Sequence, residues 1–312
     1  MSKVTATGKS AWKYAKYLAL KEVARACVAL HKLRESLKRG LKSICSSTAI
    51  YRPAGAAAEY SKVAAGFYVG CPNGCIYCYL KIGPTSGTLG GSIVKLKKGL
   101  KSEADAVEIF FNELFGGTGG VVRPEILRDG LFFTFTTDPG LPETFHLFAA
   151  VIAETVKLHV PIHFLTKMTG WMESDIWEDL LSIPETKEYL AIGFTLTGRD
   201  DLEQKASPNK ERLVALRRLH DEGFRTFTSI EPVIDIEASL SIVKECIGVV
   251  DLFKVGLESH RKYDKEEVLR FVGDLAALPE KPCIYLKDSI IDLIGRERDS
   301  FGENFVDANF RP

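Results

Sequence analysis

From about residue 64 onward, segments rich in aromatic and β-branched residues alternate with segments of helical periodicity. The predicted strands are AAGFYVG (64–70), GLFFTFTTDPG (130–140), VPIHFLTK (160–167), YLAIGFTLT (189–197), FRTFTSIEPV (224–233), VDLFKVGLES (250–259) and KPCIYLKD (281–288). The predicted helices cover 102–115, 141–158, 172–182, 207–223, 236–247 and 265–278. Repeated strand–helix units form parallel sheets, so the pattern predicts an α/β fold. About six or seven units favour a barrel or partial barrel over an open doubly wound sheet.

Side chains alternate between the two faces of a strand, and one face of each predicted strand carries polar residues. This set comprises Tyr68, Thr134, Thr136, Asp138, His163, Lys167, Thr195, Thr197, Ser229, Glu231, Lys254, Glu258, Tyr285 and Lys287. Buried charges without partners are costly, so a polar interior indicates a cavity for a polar ligand. Several members fall at the carboxyl ends of strands, where barrel enzymes build their sites. The alternative for any one residue is a pair with another side chain or a water-mediated contact with a helix.

The chain has 312 residues, of which 46% are hydrophobic, so it is long and apolar enough to fold around a substantial core. No uncharged stretch reaches the length of about 18 residues that a membrane span needs. The N-terminus lacks the apolar run of a secretory signal, so we expect a cytoplasmic protein with reduced thiols. Seven cysteines in a chain of this length do not predict a disulfide framework.

The formal net charge is zero, but residues 1–48 carry eleven Lys and Arg against two Glu. Apolar residues recur in this part at helical intervals, which predicts one or two amphipathic helices. Three interpretations remain open: a helix on the main domain with a solvated basic face, an arm that contacts nucleic-acid phosphates, or a helix on a membrane surface. We therefore divide the chain into a basic helical N-terminal extension (1–50), a core (51–290) and a C-terminal tail (291–312).

Residues 70–80 read GCPNGCIYCYL and place Cys71, Cys75 and Cys78 within eight positions. Such thiols can hold a metal, form a disulfide or simply be buried. Structural zinc sites use four ligands, whereas three thiolates on a four-iron cluster leave one iron open to a substrate or cofactor. Gly70 and Gly74 give the backbone the freedom to wrap around a cluster.

The spacing CxxxCxYC after a first barrel strand resembles the signature of the radical S-adenosylmethionine (SAM) superfamily. The segments GCPNGCIYCYL, TFTTDPGLPE, HFLTK, GFTLT, SPNKERLVALRRLHDEGF and SIEPVI occur in the order found in its spore photoproduct lyase-like, or DNA repair photolyase, branch. The lead-in IYRPAGAAAEYSKVAAGFYVGC is similar to that of radical SAM proteins near this branch whose substrates are unclear. The similarity extends over about residues 50–290.

The resemblance implies a parallel (β/α)6 partial TIM barrel with a [4Fe-4S] cluster on Cys71, Cys75 and Cys78. S-adenosyl-L-methionine would bind the open iron through its amino and carboxylate groups. The reduced cluster would cleave it to methionine and a 5′-deoxyadenosyl radical, which abstracts a hydrogen atom from the substrate. A lyase-like enzyme of this kind also implies a reducing electron donor of the flavodoxin or ferredoxin type.

By position in the resembling motifs, the cofactor-binding candidates are Tyr77, Thr136, Thr137, Asp138, Lys167, Thr195, Thr197, Ser229 and Glu231. Tyr77 would lie against the adenine, and residues 136–138 would meet the methionine amino group. Lys167 would pair with the methionine carboxylate. Thr195 or Thr197 would donate a hydrogen bond to that carboxylate or to the ribose. Ser229 and Glu231 would contact SAM or substrate. The structural alternative for Lys167 is an ion pair with Asp138 or Glu231.

Spore photoproduct lyase uses a cysteine after its second strand to return a hydrogen atom to the repaired base, but this chain has no cysteine between Cys78 and Cys246. Cys283 shares strand parity with Tyr285 and is the candidate substitute donor. The simpler interpretation of Cys27, Cys45, Cys246 and Cys283 is that each is a small buried residue. The alternative to an enzyme is a non-catalytic zinc-binding module whose basic residues 1–48 bind nucleic acid.

Overall fold

The computed structural model describes residues 3–35, 49–82, 86–116, 120–259, 261–310 and 312. The strands are β1 (Ile50–Tyr51), β2 (Ala64–Ala65), β3 (Tyr68–Val69), β4 (Lys95–Leu96), β5 (Leu131–Phe133), β6 (Ile162–Thr166), β7 (Leu190–Thr195), β8 (Arg225–Val233), β9 (Leu252–Leu257) and β10 (Ile284–Leu286). The helices are α1 (Lys3–Glu35), α2 (Ser86–Leu89), α3 (Glu103–Phe115), α4 (Pro124–Asp129), α5 (Phe145–Thr155), α6 (Asp175–Leu181), α7 (Glu185–Tyr189), α8 (Asn209–Asp221), α9 (Ile236–Cys246), α10 (Lys265–Ala276) and α11 (Asp288–Ile294). Over these ranges, no helix has the length and apolar character needed to cross a membrane.

Eight strands form one sheet in the order β1-β2-β5-β6-β7-β8-β9-β10. β1 is antiparallel to β2, and each following pair is parallel. The strand order follows the chain order, with helices between consecutive strands from β5 onward, so the predicted α/β fold with a mostly parallel sheet is confirmed. The finer description as a (β/α)6 partial barrel remains a prediction.

Two predicted strands differ from the structure. The segment 64–70 divides between β2, in the large sheet, and β3, which pairs with β4 in a separate two-stranded sheet. The segment 130–140 is extended only as β5, which ends at Phe133. The strict alternation predicted across Thr134, Thr136 and Asp138 was therefore wrong, because side chains alternate only within a strand.

The sheet has an apolar core on each of its faces. The main core fills the space between sheet and helices with large side chains such as Phe148, Phe164 and Phe194. A second, smaller cluster consists of Ala64, Phe132, Ala191, Phe227, Leu252 and Tyr285. The strand face predicted to be polar thus begins with an apolar layer, and its polar residues concentrate near the carboxyl ends of the strands.

Helix α1 packs against α3, α5 and α6. Three of its basic residues pair with acids of those helices: Lys16 with Glu103 at 2.7 Å, Lys21 with Asp179, and Arg25 with Glu154 at 3.2 Å. The exposed face also carries apolar residues, with Trp12 63% and Leu30 54% exposed. Helix α1 thus lies on the main domain, with Lys21 buried and the paired Arg25 side chain still 47% exposed. The role of the basic extension remains a prediction.

Candidate metal and cofactor site

A cavity of about 360 Å³ lies at the carboxyl ends of the parallel strands. Its wall includes Tyr60, Asn73 and Tyr77, together with residues that follow or end strands β5 to β10. Of the polar set predicted from strand parity, the cavity is lined by Thr134, Asp138, Lys167, Thr195, Ser229, Glu231, Glu258 and Lys287. These polar residues share the wall with apolar side chains such as Phe132, Phe135 and Leu165. The predicted polar side chains therefore reach the cavity, but the wall as a whole is mixed and mainly apolar.

Cys71, Cys75 and Cys78 all line this cavity as free thiols. Burial raises the pKa of Cys71 to about 12, and burial also raises the pKa of Cys75. Because thiols bind metals as thiolates, metal binding here would release protons. Within the described ranges, no group of three or more His, Cys, Asp or Glu side chains is close enough to hold a metal ion. The thiols thus share one cavity without forming a closed coordination set for a single ion.

Backbone contacts position the start of the cysteine loop, residues 70–78. Gly70 has a φ of 85°, and a Cβ at this position would lie 2.3 Å from the carbonyl oxygen of Ile93. The backbone N–H of Cys71 donates to the Gly91 carbonyl at 2.9 Å. The Thr137 hydroxyl donates to the Gly70 carbonyl at 2.7 Å. Glycine at position 70 therefore permits the close approach that holds Cys71 at the cavity wall.

The Asp138 carboxylate accepts four hydrogen bonds. Oδ1 accepts from the Gly140 N–H at 2.9 Å and from the Thr166 hydroxyl at 2.5 Å. Oδ2 accepts from the Asn73 side-chain amide at 2.8 Å and from the Lys167 N–H at 2.9 Å. This carboxylate therefore connects the cysteine loop to the end of β6, and its acceptor capacity is already engaged by the protein.

Asn73 is 2% exposed and lines the cavity. Its Oδ1 atom has no hydrogen-bond partner among the described residues. Buried acceptors are nearly always satisfied, so this atom is free to accept a bond from a bound group or a water. The three thiols and this acceptor beside them fit a cluster together with a cofactor that carries an amino group.

Lys167 places its ammonium group 3.8 Å from Oε1 of Glu203 and 5.4 Å from the centre of the Tyr77 ring. The partner is therefore neither Asp138 nor Glu231, the two considered from the sequence. The Tyr77 hydroxyl donates to Glu203, and both Tyr77 and Lys167 line the cavity. Tyr77 and Lys167, both predicted cofactor contacts, thus lie next to each other, and the buried Glu203 carboxylate interacts with both.

The four predicted threonines are used differently. The Thr136 hydroxyl donates to the Tyr68 carbonyl at 2.6 Å, and the Thr197 hydroxyl accepts a bond from the Arg199 N–H at 3.3 Å. Thr136 and Thr197 lie outside the cavity lining, whereas Thr137 and Thr195 belong to it. Of Thr195 and Thr197, only Thr195 lines the cavity, so it is the better candidate for a cofactor contact.

A second polar cluster lies at the ends of β8 and β10. The Tyr60 hydroxyl lies 2.6 Å from the Ser229 hydroxyl and donates to Glu231 at 2.5 Å. Lys287 donates to the other oxygen of Glu231 at 2.7 Å and lies 3.8 Å from Glu59. Ser229 and Glu231, both predicted site residues, are thus joined on the cavity wall.

Cys283 lies just before β10 and packs on the smaller apolar cluster, outside the cavity lining. Its predicted role as hydrogen donor gains no geometric support from this position. Cys246 is fully buried in the main core, and Cys27 is partly buried against it, as expected for small apolar residues. Cys45 lies outside the described residues.

Sequence reasoning missed Glu203 and Arg212, whose side chains are both fully buried and lie 2.6 Å apart. One feature of the pattern points to them. Arg212 lies on the apolar stripe of α8, between Asn209 and the buried Leu213 and Leu216. An arginine on the buried face of a helix requires a buried acid as partner. No sequence feature of this kind identifies Tyr60 or Asn73 as residues of the cavity wall.

No family model and no curated protein matches this chain. Among solved structures, spore photoproduct lyase complexed with dinucleoside spore photoproduct is similar, with 17% identity, a TM-score of 0.46, and coverage of 64% of this chain and 57% of that one. Streptococcus suis SuiB bound to S-adenosylmethionine shows 15% identity and a TM-score of 0.36, covering 46% of this chain and 32% of that one. A second SuiB structure gives 15% identity and a TM-score of 0.35, covering 46% and 34%.

The chain spans less than two thirds of the length of each of these structures.

Proposed function

We propose that this protein is a radical SAM enzyme that holds a [4Fe-4S] cluster on Cys71, Cys75 and Cys78. The observation that carries the proposal is the convergence of these three thiols on one cavity at the carboxyl ends of the strands, whose wall also carries Asp138, Lys167 and Glu231. Three thiolates leave one iron available to S-adenosylmethionine. When bound, the reduced cluster would supply the electron that cleaves the cofactor and generates a 5′-deoxyadenosyl radical.

In this proposal, the chain's own residues bind and orient the cofactor. Lys167 offers a cation to the methionine carboxylate, and Tyr77 offers a ring to the adenine. Asn73 Oδ1, a buried cavity-wall acceptor without a partner among the described residues, becomes a candidate for the methionine amino group. Asp138 orients Asn73 and the backbone of Lys167 instead of meeting the cofactor directly, since its oxygens already accept four bonds.

We propose that the substrate is a nucleic acid and that cations of residues 1–48 contact its phosphates. The excess of basic residues in this part supports the proposal. Lys16, Lys21 and Arg25 already pair with acids, so phosphate contacts would fall to the other cations of this part. The same scheme requires a reducing donor of the flavodoxin or ferredoxin type. The protein is expected to act in the cytoplasm.

Anaerobic reconstitution tests the enzyme proposal. Purified protein is loaded with iron and sulfide, reduced with dithionite and incubated with S-adenosylmethionine, and 5′-deoxyadenosine is measured. We expect product from the wild type and none from Cys75→Ala. Cys246→Ala is the matched control, since this buried thiol lies outside the cavity lining.

Two results would contradict the proposal. The first is a cluster-free protein that retains zinc through purification, which would favour the metal-binding module. The second is product formation that is unaffected by loss of Cys75.

A further inference from the structure

The buried ion pair between Glu203 and Arg212 has a cost that the fold alone does not explain. Both side chains are fully buried, and Arg212 Nη2 lies 2.6 Å from Glu203 Oε2. Removing two charges from water is expensive, and apolar residues of similar volume often serve stability equally well. An ion pair that is buried at this cost indicates that it positions the chain segments around it.

Arg212 connects three parts of the chain. Besides Glu203, its guanidinium donates to the Thr195 carbonyl at the end of β7 at 2.7 Å and to the Ser207 carbonyl at 2.6 Å. Residues 196–208 form the β7–α8 connection, and Arg212 holds both ends of it. The planar fork of arginine suits such divergent acceptors, whereas a lysine amine does not reproduce it.

The β7–α8 connection lies directly against the cysteine loop. The Ile76 N–H donates to the Leu202 carbonyl at 3.1 Å, and the Lys205 N–H donates to the Asn73 carbonyl at 3.0 Å. The Tyr77 hydroxyl adds a side-chain contact to Glu203. Three neighbouring positions of the loop are thus held by one connection.

The same connection also holds the end of β6. The Ser207 N–H donates to the Lys167 carbonyl at 3.0 Å, and Glu203 is the carboxylate nearest to the Lys167 ammonium group, at 3.8 Å. Cys75, which is 7% exposed, lies in the same loop two residues before Tyr77. Glu203 therefore contacts an aromatic residue and a cation of the site, next to the loop segment that carries Cys75.

We propose that Glu203 and Arg212 are positioning residues that hold the β7–α8 connection against the cysteine loop and thereby set how firmly Cys75 and its neighbours retain a metal cluster. The part concerning the cluster rests on the proposed function. The part concerning the loop does not, because the contacts are present in the protein chain alone. Residues that support metal ligands from behind change metal affinity by about 10–100-fold when replaced.

The first test uses metal-free protein. Cysteine alkylation by iodoacetamide is followed by mass spectrometry for Cys75 and, as an internal control, for Cys246. The paired variant Glu203→Met/Arg212→Met removes both charges of the pair together, so neither Glu203 nor Arg212 is left as an unpaired charge in the interior. We expect Cys75 to react at least about ten-fold faster than in the wild type, with Cys246 unchanged, because local opening of the loop becomes easier.

A matched variant distinguishes positioning from general loosening. Lys21→Met/Asp179→Met removes another ion pair, between α1 and α6, and is expected to leave the Cys75 rate unchanged. Tyr77→Phe, which removes one hydroxyl, is a milder second variant and is expected to raise the Cys75 rate less than the paired variant. An unchanged Cys75 rate in both Glu203→Met/Arg212→Met and Tyr77→Phe, or an equal rise at Cys246, would overturn the proposal.

The second test uses reconstituted protein and measures the rate at which a chelator removes iron. We expect loss to be about 10–100-fold faster in Glu203→Met/Arg212→Met than in the wild type. Equal retention would overturn the cluster part of the proposal. A wild type that takes up no cluster would contradict the proposed function, while the alkylation result would still decide the role of the pair.

Discussion

Lys287 and Glu231 meet across the strand that separates them. Lys287 directly follows β10 and Glu231 lies on β8, and the ammonium group donates to the carboxylate at 2.7 Å. Gly256 on the intervening β9 leaves the space they occupy. A Cβ at this position would lie 2.7 Å from Lys287 Cδ and 3.2 Å from Glu231 Cδ. The Lys287–Glu231 pair in the cavity wall therefore depends on glycine at position 256, which has no side chain to fill this space.

Gly256→Ala is expected to destabilise the protein by about 1–3 kcal/mol, because the added methyl group overpacks a site between the buried Lys287 and the part-buried Glu231 side chains. Denaturant unfolding measures the change. Gly273→Ala is the control: this exposed glycine lies in α10, and a Cβ there would meet nothing within 4 Å. The control is expected to gain about 0.5–1 kcal/mol from the better helix former. If Gly256→Ala is as stable as the Gly273→Ala control, the close fit at Gly256 is contradicted.

Asp138→Asn is expected to destabilise the protein by about 3 kcal/mol. The amide cannot accept all four hydrogen bonds that the carboxylate accepts, so buried donors lose their partner. Urea unfolding of the metal-free protein gives the value independently of any cofactor. Asp235→Asn is the matched control, because Asp235 caps α9 through one bond to the Ala238 N–H and asparagine caps helices equally well. Equal small effects in both variants would show that the four bonds contribute little.

Glu103 gives a pH-dependent prediction. Burial opposes its ionisation, but hydrogen bonds from His146, Lys16 and Tyr68 outweigh burial and lower the pKa of Glu103 to about 2. Since the folded pKa lies below the unfolded value of about 4.3, this carboxylate stabilises the fold above pH ~4.3. The stabilisation is lost as the pH falls from about 4.3 to about 2.

Glu103→Gln should therefore be less stable than the wild type by on the order of 3 kcal/mol near neutral pH, and the difference should shrink below pH ~4. Unfolding free energies measured from pH 2 to 7 provide the check. Glu22→Gln alters an exposed pair with Arg25 and is expected to change stability by less than about 1 kcal/mol. A difference that stays constant down to pH 2 would contradict the lowered pKa of Glu103.

The sequence predicted the parts of the fold that short-range patterns determine. Strands β6 to β9 are long apolar runs between helices, so their type and order follow from periodicity. The carboxyl ends of parallel strands meet at one edge, which is why Asp138, Lys167 and Glu231 were expected near the cysteines. Thr136 was misplaced because β5 ends at Phe133, and no residue pattern at that point marks the end of the strand.

The remaining errors concern partners that are distant in sequence. The basic face of residues 1–48 was expected to be solvated, but Lys21 is buried beside Asp179, which becomes its neighbour only when α1 packs on the domain. Glu203 lies in a connection without periodicity, so its burial follows from Arg212 and Tyr77 and not from its surroundings in the chain. Charge pairing across helices is a tertiary property, and composition alone does not reveal it.

The nucleic-acid proposal makes a salt-dependent prediction about α1. Lys13 and Lys32 form no ion pair with the described residues, unlike Lys21. Each phosphate contact contributes about −0.9 to the slope of log K against log salt concentration on duplex DNA. Gel-shift titrations across salt with Lys13→Gln/Lys32→Gln are therefore expected to lower the steepness of this slope by about 2. Lys21→Gln, which removes a charge already neutralised by Asp179, should leave the slope unchanged. Binding that is absent in the wild type, or a slope that responds equally to all three replacements, would exclude α1 as a phosphate-contacting arm.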